Sequence, residues 1–193
     1  MNMSDRLLGT LIWLLAVLAI AGVTHITVIF ALPGFAGQDT YAWISELAKP
    51  GQLTVLPPAK PEKQLIPFAD PAMVKAVCPF DLSQGGLRVH AEVAGDRLLA
   101  LSFHTPSGKL FYSMTDLAAH KGSMDVVVLT SQQLETVEAE DDEENPSQDL
   151  RLLAPTARGF VLIGALAALP SERAEAKERV KSVSCGVEQI AQD

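Results

Sequence analysis

The sequence predicts a mainly β fold: an antiparallel β-sandwich-like soluble domain with a C-terminal helix, preceded by one N-terminal transmembrane helix. Three observations predict it. Leu7 to Leu32 is an apolar run without Asp, Glu, Lys, Arg or Pro. From Met73 onward the chain breaks into short segments of alternating or continuous apolar residues, separated by Gly, Pro, Asp and Ser turns. A stripe of helical spacing then follows Pro170.

The anchor comes first. A bilayer core of about 30 Å takes roughly 20 apolar helical residues, and a helix satisfies its own backbone amides in hydrocarbon. Residues 1–32 therefore read as a transmembrane segment, stopped by Pro33-Gly34. The run exceeds a signal-peptide core of up to about 15 residues. Phe30-Ala31-Leu32 is a poor cleavage site, and no cysteine follows closely for lipoprotein processing, so the segment is expected to stay as an uncleaved signal-anchor. Arg6 precedes the run and no Lys or Arg follows until Lys49, which predicts a cytoplasmic N-terminus and an exported C-terminal domain. His25 sits near the exported end of the span as an interfacial residue, and Thr24 and Thr27 are expected to bond within their own helix.

Composition narrows the partners. The chain of 193 residues carries a net charge of −8 with only 15 Lys and Arg, which excludes a nucleic-acid surface and a basic run for anionic headgroups. Beyond the anchor remain about 150 residues, enough for one domain with its own core.

Residues 33–52 read as a membrane-proximal linker. Within it Gln38–Ala48 predicts a short helix, lying in the headgroup layer through Tyr41 and Trp43 or packing on the domain. The exported domain spans 53–193. Prolines at 57, 58, 61, 67 and 71 make its start an extended strap, anchored by Leu65, Ile66 and Phe68, with a short strand at Leu53–Leu56. Strands are predicted over Met73–Leu82, Leu87–Val93 and Arg97–Thr105. The last two are expected to form a hairpin through Ala94-Gly95-Asp96, with Val93 opposite Arg97 and Ala91 opposite Leu99. Thr105–Gly108 has the residues of a type I turn. Leu110–Thr115 and Ser123–Thr130 follow as strands, the second buried on both faces. A short helix over Ser131–Val137 is expected, capped by Ser131. Glu138–Glu144 is a charge run expected to be a solvated loop ending at Asn145-Pro146. Strands at Leu150–Leu153 and Gly159–Leu166 precede a final helix from Pro170-Ser171, with an apolar stripe of Ala176, Val180, Val183 and Val187 and an i,i+4 pair of Glu175 and Arg179.

Cys78 and Cys185 are the only cysteines. On the exported side of a membrane a matched pair tends to be joined, which predicts a disulfide from the first strand of the domain to the end of the final helix. The alternative is two separately buried thiols.

The segments LPPAKPEKQLIPFADPAM, VCPFDLSQGGLRV, LLALSFHTPSGKLFYSMTD, DVVVLTSQQL and LAPTARGFVLIGAL resemble the bacterial family known as domain of unknown function 1254, in its short, single-anchor form. The resemblance spans about Leu53 to Cys185. It implies a β-rich domain outside the bacterial inner membrane, in the periplasm, and brings neither an activity nor site residues. Longer relatives carry a second β-domain that is not expected here.

No nucleophile elbow, phosphate loop, zinc-binding helix, dinucleotide fingerprint or calcium loop is present, and no cofactor is implied. The polar residues worth following are Arg88, His90, Glu92 and His104, on the non-core face of the expected hairpin, and Tyr112 and Asp116 at a strand end. Each has the plainer alternative of a solvated or packed side chain. His120 is expected in a loop. The favoured function is a membrane-anchored envelope protein whose domain binds a partner protein or envelope component. An enzyme of unrecognised class acting on a small or lipidic molecule, or a small-ligand sensor, is the alternative. A closed pocket of convergent polar groups would favour the alternative; an apolar patch or open strand edge would favour the first.

Overall fold

The computed structural model describes residues 3–36, 40–58, 66, 69–93, 97–139 and 149–190. The chain divides into two units, Met1–Gln38 and Asp39–Asp193.

The first unit is a single helix, α1 (Met3–Ala36). Its stretch Arg6–Leu32, 27 residues, is long and apolar enough to cross a membrane. Thr24 and Thr27 donate to the carbonyls of Ile20 and Val23 at 2.9 and 2.8 Å, so neither hydroxyl is left unpaired in hydrocarbon. The helix continues through Pro33-Gly34, where the sequence predicts a stop. Pro33 lacks the backbone donor that would reach the Ile29 carbonyl, and the helix ends within one turn of it, at Ala36.

The described strands of the second unit are β1 (Thr54–Val55), β2 (Met73–Asp81), β3 (Gly86–Glu92), β4 (Leu99–His104), β5 (Leu110–Thr115), β6 (Ser123–Leu129), β7 (Leu150–Leu153), β8 (Arg158–Leu166) and β9 (Ser184–Glu188). Its helices are α2 (Thr40–Leu47), α3 (Ser131–Ala139) and α4 (Arg173–Ser182). The strands form two sheets, ordered β1-β2-β8-β4-β5 and β7-β6-β3-β9. Every pairing is antiparallel except β6 with β7. The mainly β architecture with a C-terminal helix is the one the sequence predicts.

One core lies between the sheets. Cys78 and Phe80 of β2, Leu101 and Phe103 of β4 and Ile163 of β8 meet Leu87 and Val89 of β3 and Val126 and Val128 of β6. Ala176 and Val180 of α4 join the same core. Each large side chain buried there stabilises by about 1.5–3 kcal/mol before entropy is counted. The Cys78–Cys185 disulfide forms, with Cα atoms 6.7 Å apart, and ties β2 of the first sheet to β9 of the second.

Four expectations are corrected. The hairpin of Leu87–Val93 with Arg97–Thr105 does not form: β3 pairs with β6 and β9, and β4 with β5 and β8. The apolar faces are nonetheless as predicted, since Leu87, Val89, Ala91, Leu99, Leu101 and Phe103 all reach the core. Alternation selects the buried face and not the partner strand; a core between two sheets takes inward faces from opposite sides. The final helix ends at Ser182, and Cys185 and Val187 belong to β9, opposite Val89 and Leu87. Glu175 and Arg179 do not pair: Glu175 accepts from Arg97 at 2.9 Å, and Arg179 donates to the Leu166 carbonyl at 2.7 Å. The cap of α3 is Thr130, not Ser131. Its hydroxyl accepts from the Gln133 amide at 3.3 Å, and the Gln133 side chain accepts from the Thr130 amide at 3.0 Å, a reciprocal capping box.

The Thr105–Gly108 turn closes as expected, with the Gly108 amide donating to the Thr105 carbonyl at 2.9 Å. The helix predicted over Gln38–Ala48 is α2, and it packs on the domain through Ile44 and Ala48. Glu138 and Ala139, expected to begin the acidic loop, instead close α3; the rest of that run, from Glu140 to Pro146, with Leu65 and Phe68 of the strap and the turn at 94–96, lies outside the described residues.

Candidate functional site

Alternation along β3 turns Arg88, His90 and Glu92 away from the core. The register then sets His90 opposite Asp125 of β6 and Ser184 of β9. His90 Nδ1 lies 2.5 Å from Asp125 Oδ1, and the Ser123 hydroxyl donates to Asp125 Oδ2 at 2.9 Å. The carboxylate thus stands between the serine and the histidine. Acyl transfer needs the histidine in the middle, to take the serine's proton; here Ser123 has no base.

Arg88 spans the same face. Its Nε and Nη2 donate to the two oxygens of Glu188 on β9 at 2.9 and 2.7 Å, and Nη2 also donates to Asp149 beside β7 at 2.8 Å. The bonds to Asp149 and Glu188 raise the guanidinium pKa further, against the opposing effect of partial burial. With two carboxylates on one cation, the group holds no spare positive charge for an anion.

The other predicted residues lie elsewhere. Glu92 is exposed at the end of β3. His104 is on the outer face of the first sheet, stacked on Phe160 with ring centres 5.0 Å apart. Its Nδ1 donates to the Gly108 carbonyl at 3.1 Å, and Nε2 is 3.1 Å from the Ser102 hydroxyl, so both ring nitrogens are engaged in packing. The register that would set His90 opposite Ala100 and His104 opposite Gly86 is not formed; Asp125 and Phe160 stand there instead. Tyr112 packs on Phe103 with ring centres 6.1 Å apart. Asp116 accepts from the Leu99 amide at 3.4 Å.

Tyr112 and Asp125, with His120 and Asp149, line a shallow cleft of about 340 Å³. The partners Asp125, Asp149 and Glu188 were not singled out from the sequence. The alternation of Ser123-Met124-Asp125-Val126 is the signal that could have placed Asp125 beside His90. Among the described residues, no three His, Cys, Asp or Glu side chains converge as metal ligands.

A larger cleft, about 420 Å³, lies where the first residues of β2 meet β1, the strap and α4. Val55, Leu56, Ile66, Met73 and Val74 give it an apolar wall. Lys75, Arg173 and Lys177 bring cations to the same space, and Asp70 brings one carboxylate. Among the described residues its lining contains no Ser, Thr, Cys or His. Sequence reasoning missed it because its wall and two of its three cations come from elements about a hundred residues apart; the signal available was the i,i+4 spacing of Arg173 and Lys177.

No protein-family model matches the chain, and no curated protein does. Two solved structures are similar. The VPA0106 protein from Vibrio parahaemolyticus aligns at a TM-score of 0.50 and 8% identity, over 66% of this chain and 33% of that one. An uncharacterized protein from Burkholderia cenocepacia aligns at a TM-score of 0.43 and 14% identity, over 69% of this chain and 34% of that one. The chain thus spans about a third of the length of each of these two structures. At 8% identity the Vibrio likeness speaks to the fold alone.

Proposed function

We propose that the chain is a single-pass protein of the bacterial inner membrane, with its N-terminus in the cytoplasm and its β-domain in the periplasm, and that the domain is a binding module rather than an enzyme. One observation carries the binding reading: the larger cleft has apolar walls and cations but no nucleophile–base pair, while the polar residues of the second sheet neutralise one another. Arg6 before the span and the disulfide support the exported placement. We include membership of the domain of unknown function 1254 family in this proposal, on the strand-and-turn segments quoted above.

A partner protein is the second reading. The strand β5 ends its sheet, paired among the described residues with β4 alone, and Leu110 on it and Leu117 beyond it are exposed. An open edge of this kind accepts a strand from another chain.

The test combines two measurements on the full chain in native membranes. A reporter active only after export, fused behind Asp193, is expected to be active; a cytoplasm-only reporter working at that junction overturns the topology. Photo-crosslinking from Val55 and from Leu110 is expected to capture a non-protein envelope component at the first position. Protein adducts at Leu110 alone would favour the second reading, and turnover of a captured molecule would overturn the binding-module reading.

A further inference from the structure

We infer that the cleft beside α4 binds an anionic amphiphile, with its hydrocarbon against the apolar wall and its acid group, carboxylate or phosphate, held by Lys75, Arg173 and Lys177. The inference rests on the anchored binding module proposed above and names its ligand class.

Arg173 and Lys177 lie one helical turn apart, on one face of α4, while Ala176 and Val180 turn into the core. Lys75 reaches the same cleft from β2. Among the described residues these are three cations around one cavity, in a chain of net charge −8. Elsewhere Arg88, Arg97, Arg158 and Lys181 each meet a carboxylate, while Arg179 donates to backbone carbonyls. Lys75 and Lys177 make no salt bridge among the described residues. Arg173 donates to the Pro71 carbonyl, which fixes the guanidinium beside the strap. Asp70, which accepts from the Ala72 amide at 2.8 Å, is the one carboxylate among the described lining residues and leaves the three cations in excess; Glu178, next to Lys177 on the helix, accepts from Lys181 at 2.8 Å.

The pairing of surfaces selects the ligand. A cavity of about 420 Å³ walled by Val55, Leu56, Ile66, Met73 and Val74 gains most from hydrocarbon. Unmatched cations at its side favour a negative head, whose charge is otherwise costly to take out of water. A free inorganic anion leaves the wall unused, and a neutral lipid leaves the cations unused. A fatty acid or a lipid monophosphate uses both.

The test is photolabelling of the full chain in its membrane with three probes that share one diazirine- and alkyne-bearing chain and end in a carboxylate, a phosphate monoester or an alcohol. Labelled peptides are mapped by mass spectrometry. Hydrocarbon labelling of α1, common to all probes, is the internal standard. Both acids are expected to label residues 53–58 and 69–75 about tenfold more than the alcohol, one unit of log affinity being a single well-placed charge contact. Stronger labelling by the carboxylate points to a free fatty acid, and by the phosphate to a phospholipid-derived acid. K75Q/K177Q should lose that excess, and so should K177E, whose position on α4 is exposed, with α1 labelling unchanged. Protease resistance of the β-domain equal to that of the unmutated chain certifies that each variant is folded. Equal labelling of the cleft by acid and alcohol, or full labelling of the folded variants, overturns the inference. The export reporter and the crosslinks at Val55 are scored separately, so the binding module can survive the loss of this ligand class.

Discussion

The two sheets share one core but meet the outside differently. Beyond the first sheet, Val77, Phe160 and Leu162 carry apolar surface outward, and α2 covers it with Ile44 and Ala48. Beyond the second, Ser123, Asp125, Arg88, His90 and Glu188 bond to one another with their side chains partly in water. The cause is the period of the strands. The β8 segment Phe160-Val161-Leu162-Ile163 is apolar at every position and needs cover on both sides, whereas β3 alternates and needs it on one. The short α2 is therefore part of the domain's stability, and the ion pairs of the second sheet are its contact with solvent.

The largest test of that contrast is Phe160→Ala. Phe160 is buried beneath α2 and stacked on His104, so truncation should cost about 3–5 kcal/mol in urea unfolding of the full chain, followed by Trp43 emission in a Trp13→Phe background. Arg88→Met on the other face should cost less than a third of that; equal losses would erase the distinction between the faces.

Joining the faces' sheets comes next. Replacing Cys78 and Cys185 by Ser should cost about 2–5 kcal/mol, the usual range for a native bond closing a long loop. Two thiols labelling in protein unfolded without reductant would mean that the bond is absent.

A pair of strand glycines sharpens the comparison. A Cβ on Gly159 of β8 would stand 2.4 Å from the His104 carbonyl oxygen and 2.5 Å from the Phe80 ring, whereas one on Gly186 of β9 meets nothing within 4 Å. Gly159→Ala should destabilise by about 1–3 kcal/mol. Gly186→Ala should stay within about 0.5 kcal/mol or gain from strand propensity.

On the wet face itself, a double-mutant cycle of Arg88→Met with Glu188→Gln should give a coupling of about 0.2–1 kcal/mol, falling with salt, because both side chains are about a third exposed. A coupling several times larger would make this pair a structural clamp.

The smallest effect is acid dependence at Asp81. Burial pushes its carboxyl up, but hydrogen bonds from Ser83 and Arg158 outweigh that and hold it below the ordinary value. Its contribution is present above the unfolded carboxylate pKa of about 4 and is lost as pH falls through the lower folded value. Asp81→Asn should flatten that acid limb and cost under about 1 kcal/mol at neutral pH.

Much of the fold was legible because faces are local. The run Leu7–Leu32, the alternation of Leu87-Val89-Ala91 and the turn at Thr105–Gly108 each carry their own signal. Strand partners are not local: nothing in Leu87–Val93 distinguishes β4 from β6 and β9 as neighbours, and the spacing from Val183 to Val187 fits a helix as well as a strand. The candidate sites follow the same rule. His90 was visible as an outward histidine, but Asp125, Asp149 and Glu188 reach it and Arg88 only through the register, and the cations of the larger cleft meet only when α4 folds back on β2.

The disulfide also sets the timing of assembly. Cys78 and Cys185 are 107 positions apart, and β9 is the last strand of its sheet to be made, although it borders β3, one of the first. Cys185 emerges only after β2 to β8 have been made, so the bond closes a formed pair of sheets rather than nucleating them. With two cysteines there is a single intramolecular pairing to make. These two sulfurs have no alternative partner within the sequence, so forming the bond needs an oxidant but no isomerase to proofread it.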